Sequence, residues 1–164
     1  MPVHEFVALP RLRPHQELLA QKKLVRWDSS MQNVFFLSHQ WTSFREPDHS
    51  LQQLRTFQQL LTRMTSGKCP DTAPKFTNTQ DHKITSAGWQ EIASSAFIWM
   101  DFISVPQVGT YHDPDAAAEL MKAVLSIPAF VERSTHFFVF RLFFKFFQSF
   151  SKFGSRVQRR AEIY

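Results

Sequence analysis

The chain has 164 residues, of which 43% are hydrophobic and 20% charged, and its mean hydropathy is -0.26; this leaves room for one domain with a real core and excludes a disordered chain or a multi-span membrane protein. Cys69 is the single cysteine, which excludes an internal disulfide, and without Cys or His partners at zinc spacing it excludes a zinc finger too. The formal charge of +5 traces to the stretch from Phe137 to Tyr164, where six basic residues meet one acid. The rest of the chain is balanced, so its charge gives no reason to expect nucleic-acid binding.

No basic segment followed by an apolar run opens the chain, so no secretory signal is expected and a cytoplasmic location is the default. Residues 1–30 form a lead-in that Pro2, Pro10 and Pro14 keep extended, with a short helix over Gln16 to Leu24, packing on the domain that follows. The domain proper is expected over residues 31–140. Val34-Phe35-Phe36-Leu37 is a continuous apolar run of β-forming residues, the pattern of a strand buried on both faces. It stops at the polar and aromatic group Ser38-His39-Gln40-Trp41.

From Asp48 to Met64 the apolar positions Leu51, Leu54, Phe57, Leu61 and Met64 recur at threes and fours, which predicts an amphipathic helix. Pro47, Asp48 and Ser50 mark its start, and Ser50 with Gln53 has capping-box spacing. Residues 66–95 hold Gly67, Pro70, Pro74 and Gly88 without a sustained period, and are expected to be an inserted surface loop with a short helix at Trp89 to Ala93. Phe97-Ile98-Trp99-Met100 predicts a second buried strand, closed by Asp101-Phe102-Ile103-Ser104 and a loop containing Pro106, Gly109 and Pro114. Asp113 and Pro114 have the types of an N-cap and a first helical residue, opening a helix from Asp115 to about Ile127. Its expected inner face is Ala117, Leu120, Met121, Val124 and Leu125, and Pro128 ends or kinks it. His136 to Phe140 is the third strand.

Alternating strands and helices predict a parallel α/β sheet, and such sheets bind ligands beyond the carboxyl ends of their strands. Those ends bring Ser38, His39, Gln40, Trp41 and Asp101 to one rim, the candidate substrate-binding site. Ser38, His39 and Asp101 are the residue types of a hydrolase triad, but neighbouring Ser and His on a strand point to opposite faces, and no G-x-S-x-G elbow surrounds the serine. His39, Asp48 and His49 match no standard metal spacing. There is no phosphate loop and no G-x-G-x-x-G. Trp41 and Trp99 fit either an aromatic platform or the core, and Asp101 either a ligand contact or a backbone cap.

The segments VFFLSHQW (residues 34–41), FIWMDFISVPQ (97–107) and AVLSIPAFVERSTHFFVF (123–140) resemble TIR-type domains, and are most similar to a TIR-like group of dinoflagellates and other algae. The resemblance covers about residues 20 to 140, with 66–95 as an insertion. It implies a flavodoxin-like parallel sheet with the first strand central and helices flanking it, cut off after the third strand. It also implies signalling through self-association or association with other TIR-like domains. Some members instead cleave NAD at the nicotinamide bond, so NAD enters as a possible substrate and no cofactor or metal is implied. Ser104, Pro106 and Gln107 lie in the loop that shapes partner contacts in the family. Glu162 falls at the place of the catalytic glutamate on the helix after the third strand, where an anion stabilises an oxocarbenium-like sugar. Here the chain departs from the family's W-x-x-x-E, because Gln158 stands where tryptophan is expected.

Residues 141–164 form a Phe-rich basic tail. Nine phenylalanines lie between Phe137 and Phe153, while Arg141, Lys145, Gln148, Ser149 and Lys152 recur at helical spacing. The pattern predicts a C-terminal helix with a narrow cationic stripe, suited to peripheral membrane contact through Phe137 to Phe153. The same residues suit a core segment of the absent half-domain or a divergent end, and inspection of the chain leaves these three open.

Overall fold

The computed structural model describes residues 1–43, 46–72, 83–107, 114–140 and 162–163. Three parallel strands form the body of the sheet: β1 (Val34–His39), β2 (Phe97–Trp99) and β3 (His136–Phe140). The order across the sheet is β2-β1-β3-β4, where β4 (Glu162–Ile163) runs antiparallel to β3. Val34 lies opposite Phe97 and Phe36 opposite Trp99, while Leu37 lies opposite Phe138. The central position of β1 explains its continuous apolar run, since Val34 to Leu37 are all buried.

One face of the sheet is covered by three helices: α1 (Val3–Val7), α3 (Gln52–Thr65) and α4 (Ser86–Ser94). Phe35, Leu37, Ile98 and Phe138 from the strands meet Phe6, Leu54, Leu61 and Trp89 there in one buried cluster. At roughly 1.5–3 kcal/mol for each large apolar side chain, this burial is the main stabilising term of the fold. Residues 66–95 are therefore not wholly a surface loop, because Cys69, Trp89 and Ala93 belong to this core. The Thr85 hydroxyl caps α4 by accepting from the Gly88 amide at 3.1 Å, and Trp89 Nε1 donates to the Thr72 hydroxyl at 2.9 Å.

The lead-in is more ordered than its prolines suggest. Besides α2 (His15–Ala20), it forms α1 immediately after Pro2, because Val3 and Phe6 at i and i+3 both reach the core. Met1 and Pro2 lie against the edge strand β2: the Ile98 amide donates to Met1 O at 2.6 Å, and Pro2 bridges Phe97 in antiparallel fashion. This covers a strand edge that would otherwise be open to pairing.

Helix α3 begins later than its period implies. The expected capping box at Ser50 and Gln53 does not form, because Leu51 adopts φ 57° and the buried Asp48 carboxylate accepts from the Leu54 amide at 2.8 Å. Gln53 instead donates to Gln40 O at 2.7 Å. At the other end Gly67, at φ 66°, lets the Lys68 amide return to Arg63 O at 2.8 Å.

The opposite face of the sheet carries the parallel ring stack of Phe36 with Trp99 and Phe137, at centroid distances of 4.4 and 4.9 Å. The helix expected over Asp115 to about Ile127 is α6 (Pro114–Leu125), and a further helix, α7 (Ile127–Glu132), follows a break at Ser126, with Pro128 in its first turn. Phe130 of α7 packs on Trp99 at 5.1 Å. Met121, Val124 and Leu125, expected on the inner face of α6, are 60%, 48% and 74% exposed. The period marks an apolar face correctly, but nothing in this chain's described residues covers it.

Asp101–Ser104, the segment that closes β2, forms a single helical turn, α5. Residues 108–113, including the expected cap Asp113, the middle of the insertion at 73–82, and residues 141–161 of the Phe-rich tail expected to be helical lie outside the described residues. Glu162 lies in β4, opposite Val139, and not on a helix. The parallel body therefore gains an antiparallel edge strand instead of ending at β3.

Candidate functional site

The strand tips meet as the order of the chain implies. His39 ends β1 and Asp101 follows β2, and their side chains join with His39 Nε2 at 2.9 Å from Asp101 Oδ1. Trp41 Nε1 donates to Asp101 Oδ2 at 3.3 Å, and the Phe102 amide donates to Oδ1 at 2.6 Å. Asp101 is thus a ligand of three donors from two segments. Burial alone would raise its carboxyl, but the His39 hydrogen bond and charge, the Phe102 amide and the Trp41 indole outweigh burial and hold it below the usual carboxylate range.

The His39 side chain is 1% exposed while that of Asp101 is 42% exposed, so the pair runs from core to solvent. Its Nδ1 is buried and meets no partner among the described residues, as does Oε1 of the neighbouring Gln53. Trp41 lies nearly parallel to the imidazole, with centroids 6.5 Å apart, and stands edge-on to Phe102 at 5.8 Å. The arrangement locks the tips of β1 and β2 together and leaves one indole, at 39% exposure, on the rim.

Ser38 sits on β1 opposite Val139, on the face away from His39 by strand alternation. The three triad residue types therefore do not converge. Gln40 contributes its backbone oxygen to Gln53. The Ser104 hydroxyl accepts from the Met100 amide at 3.2 Å and closes α5. Gln107 is held by Gln16 of α2: Gln16 Nε2 donates to Gln107 O at 2.6 Å, and the Gln107 amide returns to Gln16 Oε1 at 3.3 Å. Pro106 lies half-buried between them. The loop expected to shape partner contacts is tied down as far as residue 107.

A cavity of about 570 Å³ opens elsewhere, between the segment after α2, the edge strand β2 and α7. Among the candidate residues of the rim and its loop, Ser104 alone lines it. Trp27, Phe130 and Arg133 are lining residues that the sequence pattern did not single out. The available signal was Val25 and Trp27, apolar residues in a polar lead-in with no helical or strand period around them.

Among the described residues, no group of three or more His, Cys, Asp or Glu is arranged to hold a metal ion. No described helix is long and apolar enough to cross a membrane. Comparison of the chain with protein-family models, curated proteins and solved structures gives no match.

Proposed function

We propose that this chain is a TIR-like α/β module of the flavodoxin-like type that works by self-association, with α6 as the contact face. The observation that carries the proposal is the exposed apolar row Met121, Val124 and Leu125, at helical spacing on one side of α6. A second copy is the occupant. A two-fold pairing lays the same row of each copy against the other. The strand order β2-β1-β3 supports the flavodoxin-like reading, because that fold places its first strand between the second and third. On this reading the His39–Asp101–Trp41 group is a clamp that fixes the rim and the loop behind it. Three donors already engage the Asp101 carboxylate, and that engagement favours association over NAD cleavage.

The test is light scattering coupled to size exclusion over a range of concentrations. The wild-type chain is expected to shift from monomer to dimer, and Leu125→Glu to remain monomeric. Gln52→Glu, on the exposed side of α3, is the control and leaves the dimer intact. A wild-type chain that stays monomeric at all concentrations, or a Leu125→Glu variant that dimerises equally well, overturns the reading.

A further inference from the structure

We propose that the cavity beside β2 is a binding site for a small aromatic anion, a planar ring system bearing a carboxylate or sulfonate. This site is separate from the association face and does not rest on it. Its volume of about 570 Å³ falls within the range of small-molecule sites, roughly 300–1,000 Å³. The walls are aromatic and aliphatic: Trp99 and Phe130 from the sheet and α7, Trp27 and Leu24 from the segment after α2. Flat rings on two sides suit a flat guest, which gains offset or edge-on contacts beyond its area burial.

The polar lining sets the sign of the guest. Arg26, Arg133 and His15 are the lining residues with titratable side chains, and no Asp or Glu is among the lining residues. The Arg133 guanidinium lies over the Trp27 ring at 5.1 Å from its centroid, so the charge is oriented by an indole rather than neutralised by a carboxylate. Neither Arg26 nor Arg133 belongs to an ion pair among the described residues. Arginine presents a planar fork that matches a carboxylate or sulfonate with two parallel hydrogen bonds. His15 is not available in the same way, because its Nδ1 lies 3.2 Å from Ile103 O and is occupied there.

Trp27, at 44% exposure, and the exposed Leu19 and Val25 form the mouth of the cavity. Side chains of this size left partly in water at a concave opening are what a bound ring would cover. The positive lining also argues against the chain's own tail as the occupant, since residues 141–164 carry six basic groups and one acid.

Calorimetric titration of the full chain with naphthalene-2-carboxylate, its uncharged amide and 2-naphthylmethylamine tests the proposal. The carboxylate is expected to bind about tenfold more tightly than the amide, a difference of ~1.4 kcal/mol, and the amine more weakly than either. The Arg26→Gln, Arg133→Gln double variant should bring carboxylate binding down to the level of the amide and leave amide binding unchanged. Trp27→Ala should weaken carboxylate and amide together. Both are surface substitutions, and unfolding midpoints close to wild type show that the variants are folded. Absence of saturable binding up to millimolar concentration, equal binding of the three compounds, or a carboxylate preference that survives the double arginine variant overturns it.

Discussion

The two faces of the sheet are built from the same residue types and finished differently. Phe35, Leu37, Ile98 and Phe138 point into a face closed by α1, α3 and α4, where Trp89, Phe6 and Leu61 leave almost nothing exposed. Phe36, Trp99 and Phe137 point to the other, where Phe130 of α7 packs and a cavity opens, while α6 next to α7 carries an apolar row in water. A closed face stabilises, whereas an open apolar face rimmed by polar residues marks a place for contact. Stability and recognition are therefore separable in this chain, and substitutions can be chosen to strike one without the other.

The largest expected effect falls on the closed face. Trp89→Ala removes a fully buried ring and its hydrogen bond to Thr72, and should lower the unfolding free energy by ~3–5 kcal/mol in urea titrations. Phe130→Ala, on the open face, should cost less stability than Trp89→Ala while weakening naphthalene-2-carboxylate binding. If the two losses in stability are equal, the distinction between the faces fails.

Next in size is a pH dependence at the seam between the faces. The Met1 amine donates to Ile98 O at 3.0 Å, and burial pushes it from 8.0 down to about 6. Between those values the unfolded chain binds more protons than the folded one, so stability rises as pH goes from 6 to 8, by at most ~3 kcal/mol. Burial also lowers His136 from its usual 6.5, which adds a slope of the same sign below that pH. Unfolding free energies measured at pH 6 and 8 in a His136→Phe variant isolate the amine. Acetylation of Met1 should abolish the remaining rise.

The clamp at the strand tips comes third. Asp101→Ala leaves His39 Nε2 buried without its partner, at a cost of ~1–3 kcal/mol. Because the Asp101 carboxyl is held below 3.8 in the folded chain, its contribution is present above that pH and is lost as pH falls through the lower folded value. Acid titration of the variant should lack this part of the transition. An Asp101→Ala chain as stable as wild type would show that the clamp contributes nothing.

The smallest effect on stability belongs to the exposed row. Leu125→Glu should change the unfolding free energy of the monomer by no more than ~0.5 kcal/mol while abolishing dimer formation. A large loss of monomer stability would mean that Leu125 is a core residue after all.

β1 was legible because a strand buried on both faces must be apolar throughout, and Val34 to Leu37 are; Phe97 to Trp99 is as apolar, yet as an edge strand it buries only Ile98 and is not the fully buried strand expected. The rim followed from parallel order alone, which brings His39 and Asp101 together across 62 positions of sequence. The direction of the apolar faces was harder to read. A helical period in α6 says that Met121, Val124 and Leu125 share a side, but it does not say whether this chain supplies the surface against them. Of the two cap candidates for α3, Asp48 rather than Ser50 accepts from the helix, and it reaches Leu54 only through a left-handed Leu51, a conformation unusual for leucine. Helix α1 was missed because its five residues offer a single i, i+3 apolar pair, Val3 and Phe6, too short a run to establish a period. The cavity escaped because its walls come from segments between Met1 and Ser134 that no local pattern connects.

The central claim, that the α1–α3–α4 face is closed and that the α6 row is the proposed contact with a second copy, can be read from methionine oxidation. Met64 and Met100 are buried in the closed core, and Met121 is exposed on α6. Limited treatment with hydrogen peroxide, followed by peptide mass spectrometry, should oxidise Met121 rapidly at low protein concentration and progressively more slowly as concentration rises, with Met64 and Met100 resistant throughout. A Met121 rate independent of concentration, or Met64 oxidised as fast as Met121 in the native chain, would contradict the account.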